Sequence, residues 1–226
     1  TCLSLSLSLS LSLSIFIYMP CVEDLGLCLL KYRSERTLHR AMLLYTHMRG
    51  NGLDAHPPFG NGILSIFVDL CTKKSMSNAQ QVFDLLLYRD GFSWNALLLG
   101  YIRTGQYSTA LFIYEKMRES DPLLLDKPSV LALIKVCAQL KNLEKGCQIH
   151  DENLNKCLVG DSSSLLCDCL IHMYLRCRSV TKAQEMFDTY PIQNVVLWTT
   201  LMTCYVEYGQ GDKALTCFKR MIHMGI

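Results

Sequence analysis

The sequence is short of proline, of tryptophan and of charge. It holds six prolines and two tryptophans in 226 residues, and only 19% of its residues are charged. So few prolines leave helices unbroken, because proline is the residue that most strongly interrupts them. The formal net charge of +2 excludes a strongly basic domain, so charge alone points neither toward nucleic acid nor away from it. The densest basic stretch, Lys31, Arg33, Arg36, Arg40 and Arg49, reads as a solvated helix face. No phosphate-binding loop, dinucleotide fingerprint or nucleophile elbow is present, which removes the commonest nucleotide-dependent and hydrolytic enzymes.

Half of the residues are hydrophobic, enough to bury a large core and too many for a disordered chain. The twelve cysteines are scattered through apolar patterns. A secreted disulfide scaffold is short and loop-rich, and this chain is neither. The expectation is buried free thiols in a reducing compartment.

Residues 3–14 are six consecutive Leu-Ser pairs, followed by Ile15, Phe16, Ile17 and Tyr18. A membrane-spanning helix needs about 20 predominantly apolar residues, and here every second residue is serine. A secretory signal would carry a basic start, which is missing. In frame, a CT dinucleotide repeat encodes alternating Leu and Ser. Residues 1–18 are therefore expected to be a low-complexity leader outside the fold, with the functional chain over residues 19–226, beginning near Met19.

Residues 91–121 repeat at 195–225. Trp94 and Trp198 stand 104 residues apart, and the same offset pairs Leu97 with Leu201, Tyr101 with Tyr205, Gly105 with Gly209, Ala110 with Ala214 and Met117 with Met221. It also pairs Phe83-Asp84 with Phe187-Asp188. Trp94, Leu97, Leu98 and Tyr101 fall at i, i+3, i+4 and i+7, a single helical stripe, so both tryptophans read as core residues. Gly105 and Gly209 sit where a glycine ends a helix. A second stripe follows at Ala110, Tyr114 and Met117, and at Ala214, Phe218 and Met221. Each unit is thus a helical hairpin that cannot bury both faces alone and must stack. Unit starts are expected near residues 23, 57, 91, 127, 164 and 195. The fold class expected is all-α, a right-handed α-solenoid of stacked helix-turn-helix repeats.

Phe83-Asp84, Ser93-Trp94-Asn95-Ala96-Leu97-Leu98, Gly100-Tyr101, Gly105, Ala110-Leu111 and Met117 together resemble a pentatricopeptide-repeat motif. Lys135-Val136-Cys137-Ala138, Gly146 and Gln148-Ile149-His150 are similar to its longer variant. Met173-Tyr174-Leu175-Arg176-Cys177, Ala183 and Phe187-Asp188 are similar to its short variant. The alternation resembles the plant-type subclass with P, L and S motifs. The array would comprise units 23–56, 57–90, 91–126, 127–163, 164–194 and 195–226. Departures are about three extra residues around Leu70–Thr72, about two in unit 127–163, and Arg178 where a glycine is expected.

The resemblance implies single-stranded RNA as partner, one base per repeat read by two or three side chains. By the same resemblance the readers are the fifth and last residues of each unit. These are Asn61 with Asp90, Asn95 with Asp126, Asp168 with Asn194, and Thr199. An Asn/Asp pair implies uracil; the amide offers donor and acceptor to a pyrimidine edge, and the carboxylate can hold it in place. Thr199 leans to a purine, and the Asp168/Asn194 order has no reading. Leu27 and Leu131 make their units spacers. Phe92 and Val196, at second positions, would stack on bases. Taken alone, Asn95 reads as a helix cap; the matching Asp126 and the repeated pair favour readout.

Some members of the subclass end in a zinc deaminase, whose chemistry needs His-x-Glu and Pro-Cys-x-x-Cys. His150-Asp151-Glu152 is present, but no two cysteines are spaced Cys-x-x-Cys, so no catalytic residue and no cofactor is expected here. Cys167, Cys169 and His172 lack the fourth convergent ligand of a zinc site and read as buried groups. The resemblance further implies a mitochondrion or chloroplast, service in RNA processing or C-to-U editing, and an RNA-modifying enzyme acting in trans. The competing reading is a protein-binding scaffold of tetratricopeptide type, which keeps a steadier period of about 34.

Overall fold

The computed structural model describes residues 38–53, 57–121, 125–157, 163–189 and 194–226. The Leu-Ser leader, Leu27, Lys31, Arg33 and Arg36 lie outside them. Eleven helices and no strand occur among the described residues. They are α1 (Leu38–Gly50), α2 (Pro57–Asp69), α3 (Lys73–Leu85), α4 (Gly91–Arg103), α5 (Tyr107–Ser120), α6 (Lys127–Leu140), α7 (Leu143–Cys157), α8 (Ser163–Arg176), α9 (Val180–Thr189), α10 (Val195–Glu207) and α11 (Gly211–His223). None is long and apolar enough to cross a membrane.

The same local chemistry starts and stops these helices along the chain. Thr72, Asp90, Asp126 and Asn194 precede α3, α4, α6 and α10, and each accepts a hydrogen bond from the backbone N–H three residues on. Those bonds satisfy donors that a helix start leaves unpaired. Between the two helices of each hairpin one residue takes a positive φ: Cys71 (49°), Gly105 (73°), Lys141 (53°), Arg178 (62°) and Gly209 (68°). After four of them the N–H of the next residue bonds back to a carbonyl of the last helical turn, as Gln106 does to Tyr101 and Ser179 to Tyr174; after Cys71 the Thr72 N–H bonds the Ser75 hydroxyl instead.

Two expectations are corrected here. The turn at Leu70–Thr72 contains no extra residues: α2 and α3 begin at 57 and 73, α4 and α5 at 91 and 107, the same interval. Cys71 occupies the left-handed position that Gly105 fills one hairpin later, and a non-glycine there disguises the turn. The second apolar stripe of the later copy is also less buried than that of the earlier one. Tyr114 and Met117 are covered, whereas Phe218 is 47% exposed and only Ala214 and Cys217 of α11 are buried. Tyr114 is held by Glu152 of the following hairpin, and no described helix follows α11.

The described residues fall into two compact units, one running to Gly100 and the other starting at Tyr101. In the first, α2 packs on α1 and α3, and Phe83 of α3 meets Trp94 of α4 edge-on at 4.7 Å. In the second, α6, α8 and α10, the first helices of successive hairpins, contact one another in sequence, each also packing on its own second helix. Polar bridges tie the second helices: Glu115 of α5 to Lys145 of α7 at 2.6 Å, Arg118 to Glu152 at 3.0 Å, and Arg220 of α11 to Asp188 of α9 at 2.8 Å. Phe187 and Trp198 repeat the earlier ring pair at 4.6 Å. Both tryptophans are buried, Trp94 at 4% and Trp198 at 0% exposure.

Candidate nucleic-acid interface

Asn61, Asn95, Leu131, Asp168 and Thr199, the described fifth residues of the expected units, each fall in the second turn of a hairpin's first helix: α2, α4, α6, α8 and α10 in turn. Asp90, Asp126 and Asn194 fall just before the next first helix, where a side chain can cap that helix with one oxygen and keep its other polar atom in hand. Asp90 does both. Its Oδ1 accepts from the N–H of Ser93 at 2.8 Å, and its Oδ2 accepts from Nδ2 of Asn61 at 2.9 Å. Asn61 is thereby fixed in orientation, its amide nitrogen committed and its Oδ1 left without a protein partner.

The geometry recurs with the chemistry exchanged. Asn194 Oδ1 accepts from the N–H of Leu197 at 2.9 Å, and its side chain stands beside Asp168. Burial pushes the Asp168 carboxyl above the ordinary carboxylate value, and the neighbouring Asn194 amide pulls it partly back. Asp168 Oδ1 has no protein partner, as with Asn61. Asn95 is buried at 5% and donates to the carbonyl of Gly91 at 2.7 Å. It is no helix cap, since Asp90 caps α4. Asp126 is exposed and caps α6 through Ser129 at 2.8 Å. Asn95 belongs to the first compact unit and Asp126 to the second.

Thr199 is exposed, its hydroxyl turned back onto the carbonyls of Val195 and Val196. It lines a cleft of about 280 Å³ between α8 and α10 with His172, Arg176, Thr203, Cys204 and Glu207. Phe92 and Val196 are 56% and 70% exposed, each a single apolar side chain in the first turn of its helix. Leu165 shares their place in unit 164–194 and is 52% exposed. Sequence reasoning passes over Leu165, because one more leucine in an apolar helix looks like core; its place in the first turn of its helix is the available signal. Leu131 is half-buried.

The remaining candidates resolve as packing. His150 Nδ1 lies 2.7 Å from the Tyr174 hydroxyl, and burial holds its imidazole below the ordinary value. Cys167 and Cys169 are half-buried free thiols raised by burial. Among the described residues no group of three or more His, Cys, Asp or Glu is placed to hold a metal ion. The expectation of uniformly buried thiols is corrected: Cys137 and Cys217 are buried, Cys71 is exposed, and the other five described cysteines are half-buried.

Comparison with known proteins agrees with this architecture. The PPR repeat model matches residues 92–121 and 196–226. A pentatricopeptide repeat-containing protein of Arabidopsis thaliana is 30% identical over 150 residues, covering 66% of this chain and 29% of the relative. A chloroplastic one from the same plant is 32% identical, covering 66% and 28%, and a mitochondrial one is 27% identical, covering 84% and 33%. The chain thus spans a third or less of the length of these relatives. The crystal structure of maize PPR10 in complex with an 18-nucleotide psaJ RNA element superposes with a TM-score of 0.58 at 21% identity, over 83% of this chain and 28% of that one. The repeated Trp and Phe-Asp pattern, the stacked helical hairpins and these matches together place the chain in the pentatricopeptide-repeat family.

Proposed function

We propose that this chain binds single-stranded RNA in a sequence-specific way, with units 57–90, 91–126, 164–194 and 195–226 each offering side chains to one base. The observation that carries the reading is the Asn61–Asp90 hydrogen bond, which holds an amide in one orientation at the fifth position of a first helix. A fixed amide discriminates between base edges because a rotated one would present donor for acceptor. The Asp168–Asn194 pair supports it, since a carboxylate and an amide stand side by side at the same two positions. Exposed Phe92, Leu165 and Val196 supply apolar surfaces on which a base can stack, the usual way unpaired RNA is held. The relative that is maize PPR10 was crystallised with RNA, and relatives carry mitochondrial or chloroplastic names, which supports an organelle as the compartment. In that setting the chain serves RNA processing or C-to-U editing as the recognition part, alternating P, L and S units, with chemistry supplied by an enzyme in trans.

The test is fluorescence anisotropy of the full chain with short single-stranded RNAs at one stated salt concentration. One oligomer carries uracils for the Asn61/Asp90 and Asn95/Asp126 units and its control carries purines. Preference for uracil of about tenfold, roughly 1.4 kcal/mol, reduced by Asn61→Thr, is the expected result. Equal binding by protein whose circular dichroism remains helical overturns the reading and favours a protein-binding scaffold.

A further inference from the structure

One unit of the array, 164–194, has its amide and carboxylate in reversed order, and the family pattern gives it no base. Asp168 stands in the second turn of α8, and Asn194 just before α10. Asp168 is half-buried, and its Oδ1 is a buried atom with no hydrogen-bond partner in the protein. Burial raises its carboxyl above the ordinary carboxylate value, and the Asn194 amide offsets only part of that rise. Both observations describe an acceptor short of donors, which costs free energy until donors arrive. One turn further along the same face of α8 is His172, which lines the cleft of about 280 Å³ that α8 shares with α10. Room for a ligand therefore begins one turn from the carboxyl.

An ionised carboxylate accepts hydrogen bonds and donates none. This separates Asp168 from Asn61, whose amide carries acceptor and donor together. Unpaired RNA is read on the Watson–Crick edges of its bases, and the four edges differ. Guanine offers two adjacent donors, N1–H and the N2 amino group. Adenine and cytosine each set one amino donor beside a ring-nitrogen acceptor. Uracil flanks its one N–H with two carbonyl oxygens. A carboxylate thus meets a pair of donors on guanine alone, and faces a lone pair on each of the others. Asn194 extends the match. Its Oδ1 is committed to the N–H of Leu197, so its amide nitrogen is left to donate, and guanine carries the O6 acceptor beside N1–H.

We propose that unit 164–194 reads guanine in single-stranded RNA, with Asp168 as the specificity-determining residue that accepts from N1–H and the N2 amino group. The inference rests on the RNA-binding reading above and assigns a base to a unit that had none. Leu165 and Val196, exposed in the first turns of α8 and α10, supply apolar surface on which that base stacks.

The full chain is titrated by fluorescence anisotropy with an oligouridine, and with oligomers in which a single guanine is walked along it, at one salt concentration. At one position guanine is expected to raise affinity about tenfold over uracil, the scale on which a bidentate contact discriminates, and Asp168→Asn should remove that gain. The substitution is close in size, and circular dichroism confirms the fold. Two base analogues test the same contact without a variant. Inosine, which lacks the N2 amino group, should keep only about threefold; 7-deazaguanine, altered on its other edge, should keep the whole gain. Oligouridine binding with no position favouring guanine overturns this inference and leaves RNA binding standing. So does a gain that survives both Asp168→Asn and inosine. Failure of the helical chain to bind any of the oligomers overturns the RNA-binding reading itself, and this inference with it.

Discussion

The ring of Phe187 meets the ring of Trp198 edge-on, 4.6 Å between centroids and 79° between planes. It joins the second helix of one hairpin to the first helix of the next, and Phe83 with Trp94 makes the same joint in the first compact unit. An edge-to-face pair adds about 0.5–1.5 kcal/mol beyond the area it buries. Both Phe187 and Trp198 are fully buried, so truncation leaves a cavity. Phe187→Ala is expected to destabilise the second unit by about 3–5 kcal/mol, and Phe187→Leu by about 1–2 kcal/mol. Urea titration followed by circular dichroism measures both; a loss under about 1 kcal/mol for Phe187→Ala would show that this joint does not hold the hairpins together.

The hairpin turns give a prediction of opposite sign. Arg178 carries a φ of 62° where the equivalent Gly209 carries 68°. Left-handed backbone costs a residue with a Cβ about 1–2 kcal/mol, and glycine gives back about 0.5–1 kcal/mol through the entropy of the unfolded chain. Arg178→Gly should therefore stabilise by about 0.5–1 kcal/mol. Gly209→Ala should destabilise by about 1 kcal/mol, its Cβ meeting no neighbour but its backbone strained. Paired thermal melts decide it, and a lower melting temperature for Arg178→Gly would mean the arginine makes contacts worth more than the strain.

These turns also mark what the sequence can and cannot disclose. The stripe Trp94, Leu97, Leu98 and Tyr101 announces a buried helix face because helical periodicity is a property of spacing, and each of those residues is buried. The turn at Cys71 reads as an insertion because the left-handed position is a property of backbone, visible in text only when glycine fills it. The fifth and last positions can be numbered from the family pattern. That Asp90 and Asn194 also cap the following helix cannot, since capping depends on where helices begin to within one residue. Leu165 escapes for a third reason: exposure is set by neighbours distant in sequence.

Acid should unfold the chain in two steps. Burial holds His150 and His172 below their ordinary value of 6.5. The unfolded chain therefore binds more protons over that interval, and stability, complete above about pH 6.5, declines as pH falls below it. Hydrogen bonds and ion pairs with Lys145 and Arg118, and with Tyr114 and Gln148, hold Glu115 and Glu152 below 4.5 against their burial. That stability is present above about 4.5 and is lost as pH falls through the lower folded values. Asp168 is raised and opposes the second step in part. Urea midpoints at about pH 7, 5.5 and 4 trace the profile, and His150→Gln, which cannot titrate, should flatten the first decline. A parallel profile in that variant would assign the acid sensitivity elsewhere.

The exchanged pair offers the most discriminating prediction about recognition. In unit 57–90 the fifth residue is the amide and the last the carboxylate, hydrogen-bonded to each other; in unit 164–194 the order is reversed and the two groups again stand side by side. If readout depends on which group stands at the fifth position, Asp168→Asn with Asn194→Asp should convert the second arrangement into the first. The carboxylate introduced at position 194 would still cap α10 through the N–H of Leu197, because a carboxylate caps as well as an amide, so fold and stability should hold. The double variant is expected to gain a preference for uracil at its nucleotide of about tenfold, roughly 1.4 kcal/mol, while affinity for RNA differing elsewhere stays the same. Asp168→Asn alone places two amides together and should gain less, since nothing then fixes which way the fifth-position amide faces. An unchanged base preference in a correctly folded double variant would mean that the pair is a structural clasp between hairpins, serving the helix joint and not the base.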